Sequence, residues 1–210
     1  MARTTHGRVS RGKVLLTLAV VAAGATAVGA GTYSSFTATA TPASPLTVSS
    51  GTESLTIPAA GAANRMTVNA SGIVPGDTIQ RAVDLTNNGT EDLASITLTT
   101  AASTSSLLDT NTTYGLQLVI DKCGGTGWTE AGSSPAFTYT CSGGSTPVLT
   151  TRAVIGSAIS LSSLSSLTHG ATDHLRVMLT FPSGADDTYQ NKTSIISFTF
   201  NGTQRANSAH

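Results

Sequence analysis

The chain has 210 residues, with 11 Lys and Arg against 11 Asp and Glu, so its formal charge is zero; only 10% of it is charged and 5% aromatic. So sparse and balanced a charge argues against a nucleic-acid-binding surface. The 36 Thr and 26 Ser beside 7 Pro favour many short polar-faced strands over an all-helical fold.

In chain order, Arg3, Arg8, Arg11 and Lys13 precede VLLTLAVVAAGATAVGAG, an uncharged run of 18 residues from Val14 to Gly31. A basic start followed by an Ala/Val/Leu-rich run is the pattern of a secretory signal peptide. Its length also reaches the low end of a bilayer span, which makes a retained anchor the rival reading, although the small residues from Ala22 onward weaken it. Every acidic residue follows this run. Without the four leading cations the remainder holds seven basic and eleven acidic side chains, a net charge of minus four. About 175 residues then remain, enough for one domain with one core.

FTATATPASPLTV (36–48) alternates, with Phe36, Ala38 and Ala40 on one face and Thr37, Thr39 and Thr41 on the other. A free strand of this kind can add to a sheet edge, and Pro42 and Pro45 would end the pairing; the alternative is a plain linker. Further strands are expected at 46–57 (broken at Gly51), 66–70, 78–87, 92–101, 114–121, 137–141, 152–156, 174–181 and 194–202. In 78–87, Ile79, Ala82 or Val83, and Leu85 can face a core while Gln80, Arg81 and Asp84 face water. Asn87-Asn88-Gly89-Thr90 predicts a hairpin from 78–87 into 92–101, and Pro75-Gly76 predicts a type II turn. Leu161, Leu164 and Leu167, three apart, predict a short helix or 3₁₀ turn crossing between sheets. Nine or so strands without long helices predict an all-β fold, a single antiparallel β-sandwich or jelly roll following an N-terminal signal helix. Cys123 and Cys141, both in the exported part and without a C-x-x-C spacing, are expected to pair as a disulfide. Trp128 and Tyr139 flank that loop and are expected to pack on it.

Chemistry-bearing constellations are few. His169 and His174 lie five apart in HGATDH, a spacing that opposes them on a strand; only a turn at Gly170 would bring them together with Asp173 as a metal set, and exposed loop histidines are the plainer reading. There is no H-E-x-x-H and no G-x-S-x-G. Asp186-Asp187 offers oxygen ligands for calcium or, more simply, a solvated turn. No residue is assigned a catalytic or cofactor-binding role, and zinc and calcium are the only ions these residues suggest.

Four stretches, GAGTYSSF (29–36), TVSSGTESL (47–55), GIVPGDTIQRAVDLTNNGT (72–90) and TYQNKTSIISFTFNGTQ (188–204), together resemble the TasA/camelysin family of exported bacterial proteins, whose signal peptides are processed by a SipW-type signal peptidase. The resemblance implies cleavage at Tyr33-Ser34-Ser35-Phe36, hence a signal peptide over 1–35, a donor-strand or linker segment over 36–48, a β-sandwich over 49–205 and a polar tail over 206–210. It implies a structural protein, secreted to the extracellular matrix or cell surface, in which Phe36, Ala38 and Ala40 of one copy complete the sheet of the next in a biofilm-matrix fibre. The partners implied are copies of itself, the signal peptidase and an accessory assembly protein. The camelysin branch also implies an alternative, a metal-dependent endopeptidase, for which His169, His174 and Asp173 are the ligands on offer. A monomeric surface-adhesion module is the third reading.

Overall fold

Period-two alternation builds the central strands. In TSIISFTFNGTQ, Ser194, Ile196, Phe198, Phe200 and Gly202 are buried and the residues between them are partly exposed; in TDHLRVMLT the buried row is Asp173, Leu175, Val177 and Leu179. Each row turns one face of a pleated strand inward, and two such faces close on one another.

The computed structural model describes residues 37–40, 55–56 and 66–205. The expected signal peptide, the Tyr33–Phe36 cleavage tetrad, most of the 41–65 stretch and the 206–210 tail lie outside them. In chain order the elements are β1 (Thr37–Ala40), β2 (Leu55–Thr56), β3 (Thr67–Ser71), β4 (Thr78–Asn87), β5 (Leu93–Thr104), α1 (Leu107–Thr110), β6 (Gln117–Cys123), β7 (Trp128–Ser133), β8 (Ala136–Cys141), β9 (Ser145–Ala153), β10 (Gly156–Ser160), β11 (Thr172–Thr180), a 3₁₀ turn (Asp187–Tyr189) and β12 (Thr193–Gln204). One sheet runs β1-β12-β5-β10, with β3 also on β12; the other runs β2-β4-β11-β6-β9; β7 and β8 form a separate two-stranded ribbon. Every recorded pairing is antiparallel. The core between the sheets includes Val83, Leu85, Ile96, Leu98, Leu118, Ile120, Val177, Leu179, Phe198 and Phe200. The protein is an all-β antiparallel sandwich.

Several expectations need correction. Strands 78–87 and 92–101 do not form a hairpin: β4 belongs to one sheet and β5 to the other. The turn between them is an arch, held by the buried Asn87. Its side-chain amide donates to the Glu91 and Leu167 carbonyls, and its carbonyl oxygen Oδ1 accepts from Gly89 N. Residues 160–169 do cross between the sheets but form bends and turns, not a helix. Ser163 takes a positive φ of 58°, and Ser162 N and Oγ both donate to the Val148 carbonyl, bonds that compete with a helical ladder. The 152–156 run is not one strand: Arg152 and Ala153 end β9, Val154 and Ile155 make the connection, and Gly156 opens β10. Arg81, expected to face water, is buried, with its guanidinium 5.4 Å from the centre of the Phe137 ring. The Pro75-Gly76 turn forms as read, with Gly76 at φ 98° and Asp77 N donating to Val74 O at 3.0 Å.

The disulfide Cys123–Cys141 joins the end of β6 to the end of β8 with its Cα atoms 5.6 Å apart. Closing a loop of this length contributes about 3 kcal/mol in the chain-entropy model. The longest buried polar network lies beside α1. Asp109 accepts from Ser106 N at 2.6 Å and from Ser194 Oγ at 2.5 Å through Oδ1, and from Ser105 Oγ at 2.7 Å through Oδ2. This ties the short helix to the start of β12. Replacing Asp109 by Ala leaves Ser194 Oγ and the Ser106 amide without their acceptor, and should lower stability by about 3 kcal/mol in urea denaturation; Asp109→Asn, which keeps one acceptor oxygen, should cost less.

Candidate functional site

Two places carry the residues singled out by sequence: the outer edge of β12 and the turn-rich surface around β11. Along one side β12 pairs with β5, from Ile195 to Gln204. Along the other, β3 takes Thr193–Ser197 and β1 takes the stretch beyond it, in the register Thr37↔Thr203, Ala38↔Gly202, Thr39↔Asn201 and Ala40↔Phe200. β3 and β1 therefore lie end to end on one edge. Ala38 and Ala40 of the expected donor segment are thus paired with the chain's own β12, while Phe36 lies outside the described residues. The alternation in 36–48 marked this segment as a strand. Nothing in the sequence identified the 200–203 stretch as its partner, because pairing between residues so far apart is fixed by the fold.

The candidate metal ligands do not converge. His169 is exposed on the loop before β11, where its ring Nδ1 donates to the Gly89 carbonyl at 2.5 Å and its amide donates to Asp92 Oδ1. His174 points from the opposite face of β11 to that of Asp173. Its Nδ1 lies 2.6 Å from Asp84 Oδ1 on β4, the residue directly across the ladder. Asp173 is only 3% exposed and accepts from Ser166 N at 2.7 Å and Lys122 Nζ at 3.4 Å. Alternation along β11 separates Asp173 from His174, and His169 sits apart on the preceding loop. Asp186 caps the 3₁₀ turn, accepting from both Thr188 Oγ1 and Thr188 N. Those two bonds, the side-chain one first, hold its carboxyl below the usual carboxylate range. The cap is therefore at full strength above that range and fades as pH falls through the lowered folded value.

The outward face of the β4-β11-β6 sheet holds groups that sequence reasoning did not find. Arg176 Nη2 donates to Asp121 Oδ2 at 2.7 Å across the β11-β6 ladder. The β7-β8 ribbon lies over this face: the Trp128 ring stacks 4.4 Å from the Arg176 guanidinium, and its Nε1 donates to the His174 carbonyl. Tyr139 is buried there, its hydroxyl donating to Glu130 Oε2 at 2.7 Å. Trp128 and Tyr139 pack, as expected, though against Arg176 and Glu130 as well as over the disulfide loop.

A family model described as camelysin metallo-endopeptidase matches residues 11–124, more than half of the chain. The chain belongs to the camelysin family. A comparison with curated proteins found no match. The span matched by the camelysin model contains no histidine, and its one cysteine, Cys123, is in the disulfide. His169, Asp173 and His174 all lie beyond it. Among the described residues no three His, Cys, Asp or Glu side chains converge where a metal ion could be held. The groups on the described residues do not fit the zinc centre that the camelysin description implies, which needs three or four N, S or O ligands at about 2.0–2.3 Å from one point.

The half-buried His174–Asp84 pair reads as a surface contact worth about 1 kcal/mol at most. His174→Ala should lower stability by no more than that, and added zinc should leave the melting temperature of the wild type unchanged. A zinc-dependent rise in melting temperature that disappears in a His169→Ala/His174→Ala protein would restore the metal reading.

Proposed function

We propose that this camelysin-family chain is a structural protein, exported to the cell surface or extracellular matrix, whose copies assemble by exchanging β1. The observation that carries this reading is the placement of β1. Four residues, separated from the next strand of their sheet by residues 41–66, fill the stretch of the β12 edge that β3 leaves open. A β1 donated by a second copy would make the same main-chain bonds in the same register. Exchange therefore costs little in contacts, and the balance between closed and linked forms is set by concentration and by the reach of the connecting segment.

Two of the other edges support the reading, because they are poor acceptors. β9 carries Pro147 and two register shifts against β6, and β10 carries a register shift against β5 with Ala158 at φ 49°. Such irregularities blunt edges against indiscriminate pairing. The family description favours a second reading, a metal-dependent endopeptidase, and the ligand geometry weighs against it.

A chain with Thr37→Cys and Thr203→Cys, which face each other across β1 and β12, separates the outcomes. Oxidised at high protein concentration, it should give a covalent ladder on a non-reducing gel, and the chain starting at Phe36 should form filaments under electron microscopy while one starting at Ser49 stays monomeric. Cross-linking confined to the monomer, with no filaments from either chain, would leave a self-contained adhesion module. Casein cleavage abolished by chelator would instead favour the peptidase.

A further inference from the structure

We propose that the β7-β8 ribbon is a redox-latched flap, held over the outward face of the β4-β11-β6 sheet by the Cys123–Cys141 bond and released when that bond is reduced. Two topological facts carry this. The ring closed by the disulfide contains the ribbon and the β6-β7 loop and no strand of the sandwich, apart from Cys123 at the very end of β6; the β8-β9 loop follows directly after it. Among the described residues the ribbon is bonded strand to strand only within itself; no ladder joins it to either sheet. The chain-entropy constraint of the bond therefore acts on the ribbon alone.

The connections are built as a hinge. Gly124, Gly125 and Gly127 lead from β6 into β7, and Gly143 and Gly144 lead from β8 into β9, with Gly127 at φ 118° and Gly144 at φ 76°. The two loops run against each other. Gly124 N donates to Gly144 O at 2.9 Å, and a Cβ on Gly143 would sit 2.5 Å from Gly125 N. Neither loop has a side chain that could anchor the ribbon at these positions. The contacts that hold it are made through side chains, and include the Trp128–Arg176 stack, the Arg81 guanidinium over the Phe137 ring, Trp128 Nε1 to the His174 carbonyl, Arg176 Nη1 to the Tyr139 carbonyl at 3.4 Å, Arg81 Nη1 to the Pro135 carbonyl at 3.5 Å and Tyr139 N to Gln80 Oε1 at 3.3 Å. Lifting the ribbon uncovers Asp84, His174, Asp121 and Arg176 on three adjacent strands.

The step requires a dithiol as co-reactant. One of its thiolates attacks the sulfur of Cys141, which is partly exposed where Cys123 is 6% exposed. The Cys123 sulfur leaves as a thiolate and takes up a proton. The second thiol of the reductant then displaces Cys141, which is also protonated, so two electrons and two protons pass to the protein and the dithiol becomes a cyclic disulfide.

Trp128 is the chain's single tryptophan, so it reports on the flap directly. In the full chain treated with dithiothreitol, acrylamide quenching of Trp128 and amide exchange across 128–141 should each rise several-fold, while exchange across β5 and β12 stays as in the oxidised protein; reoxidation should reverse both. The Cys123→Ser/Cys141→Ser chain should show the same local opening without reductant. Unchanged quenching and exchange at 128–141 would mean that the stacks alone hold the ribbon. Equal acceleration across β5 and β12, or a double-serine chain that does not fold, would mean that the bond stabilises the whole sandwich. Either result overturns the proposal.

Discussion

β12 is paired along both edges, and its inward row is buried. β5 runs along one side for ten residue pairs, β3 and β1 share the other, and Ile196, Phe198 and Phe200 between them are fully enclosed. Full burial of one such side chain contributes roughly 1.5–3 kcal/mol, so this row is a large share of what holds the first sheet onto the second. Main-chain groups at such depth must be bonded, because an unpaired N–H or C=O there costs about as much as a lost hydrogen bond. β3 ends opposite Thr193, having covered only as far as Ser197. The edge from Phe200 to Thr203 then needs a partner. β1 is that partner in the closed chain, and its position at the start of the domain makes it the segment that a neighbour can supply.

Much of this architecture was legible from alternation, and the failures have a common cause. β4, β11 and β12 fall within two residues of the stretches expected from period two, because each buries one complete face and none faces water on both sides. The sequence gives no sign of β7: WTEAGS packs through Trp128 onto Arg176 and leaves most of its residues exposed, so it has no buried row to read. The β4-β5 turn looked like a hairpin since Asn-Asn-Gly-Thr tolerates positive φ equally in a hairpin and in an arch. What decides between them is Asn87, which bonds Glu91 within the turn and Leu167 on a loop eighty residues downstream. Arg81 misled for a related reason. It sits on the inward parity of β4, opposite Val177, and is sheltered by Phe137 from a ribbon whose position no local pattern records.

The histidine reading shows what spacing can and cannot establish. Adjacent residues on a strand take opposite faces, and Asp173 and His174 do part in this way, His174 toward Asp84 and Asp173 toward Lys122 and Ser166, while His169 is not on the strand at all. Spacing could not say that both destinations were already taken. Asp173 is bonded at both oxygens inside the domain, and His169 is bound to the arch through ring and amide. These groups fasten loops to strands. In a chain with so few charges, such fastenings use most of the titratable side chains near β11.

The extent of the family match has a structural consequence. Residues 11–124 reach just past the end of β6, and among the described strands inside that span only β2 and β4 pair with each other, over two residues. β3 and β5 are bonded to β12, and β4 and β6 to β11. A span whose strands depend so completely on later ones cannot be a folding unit by itself. The part of the chain beyond residue 124 must therefore supply equivalent partners whatever its sequence. It is free to do so, because a ladder bonds through the main chain and asks of the side chains only an inward apolar row. β11 and β12 meet that demand with Leu, Val, Ile and Phe at alternate positions. The second half thus completes the sheets that the first half begins through its main chain and inward row, with its outward residues free of that demand.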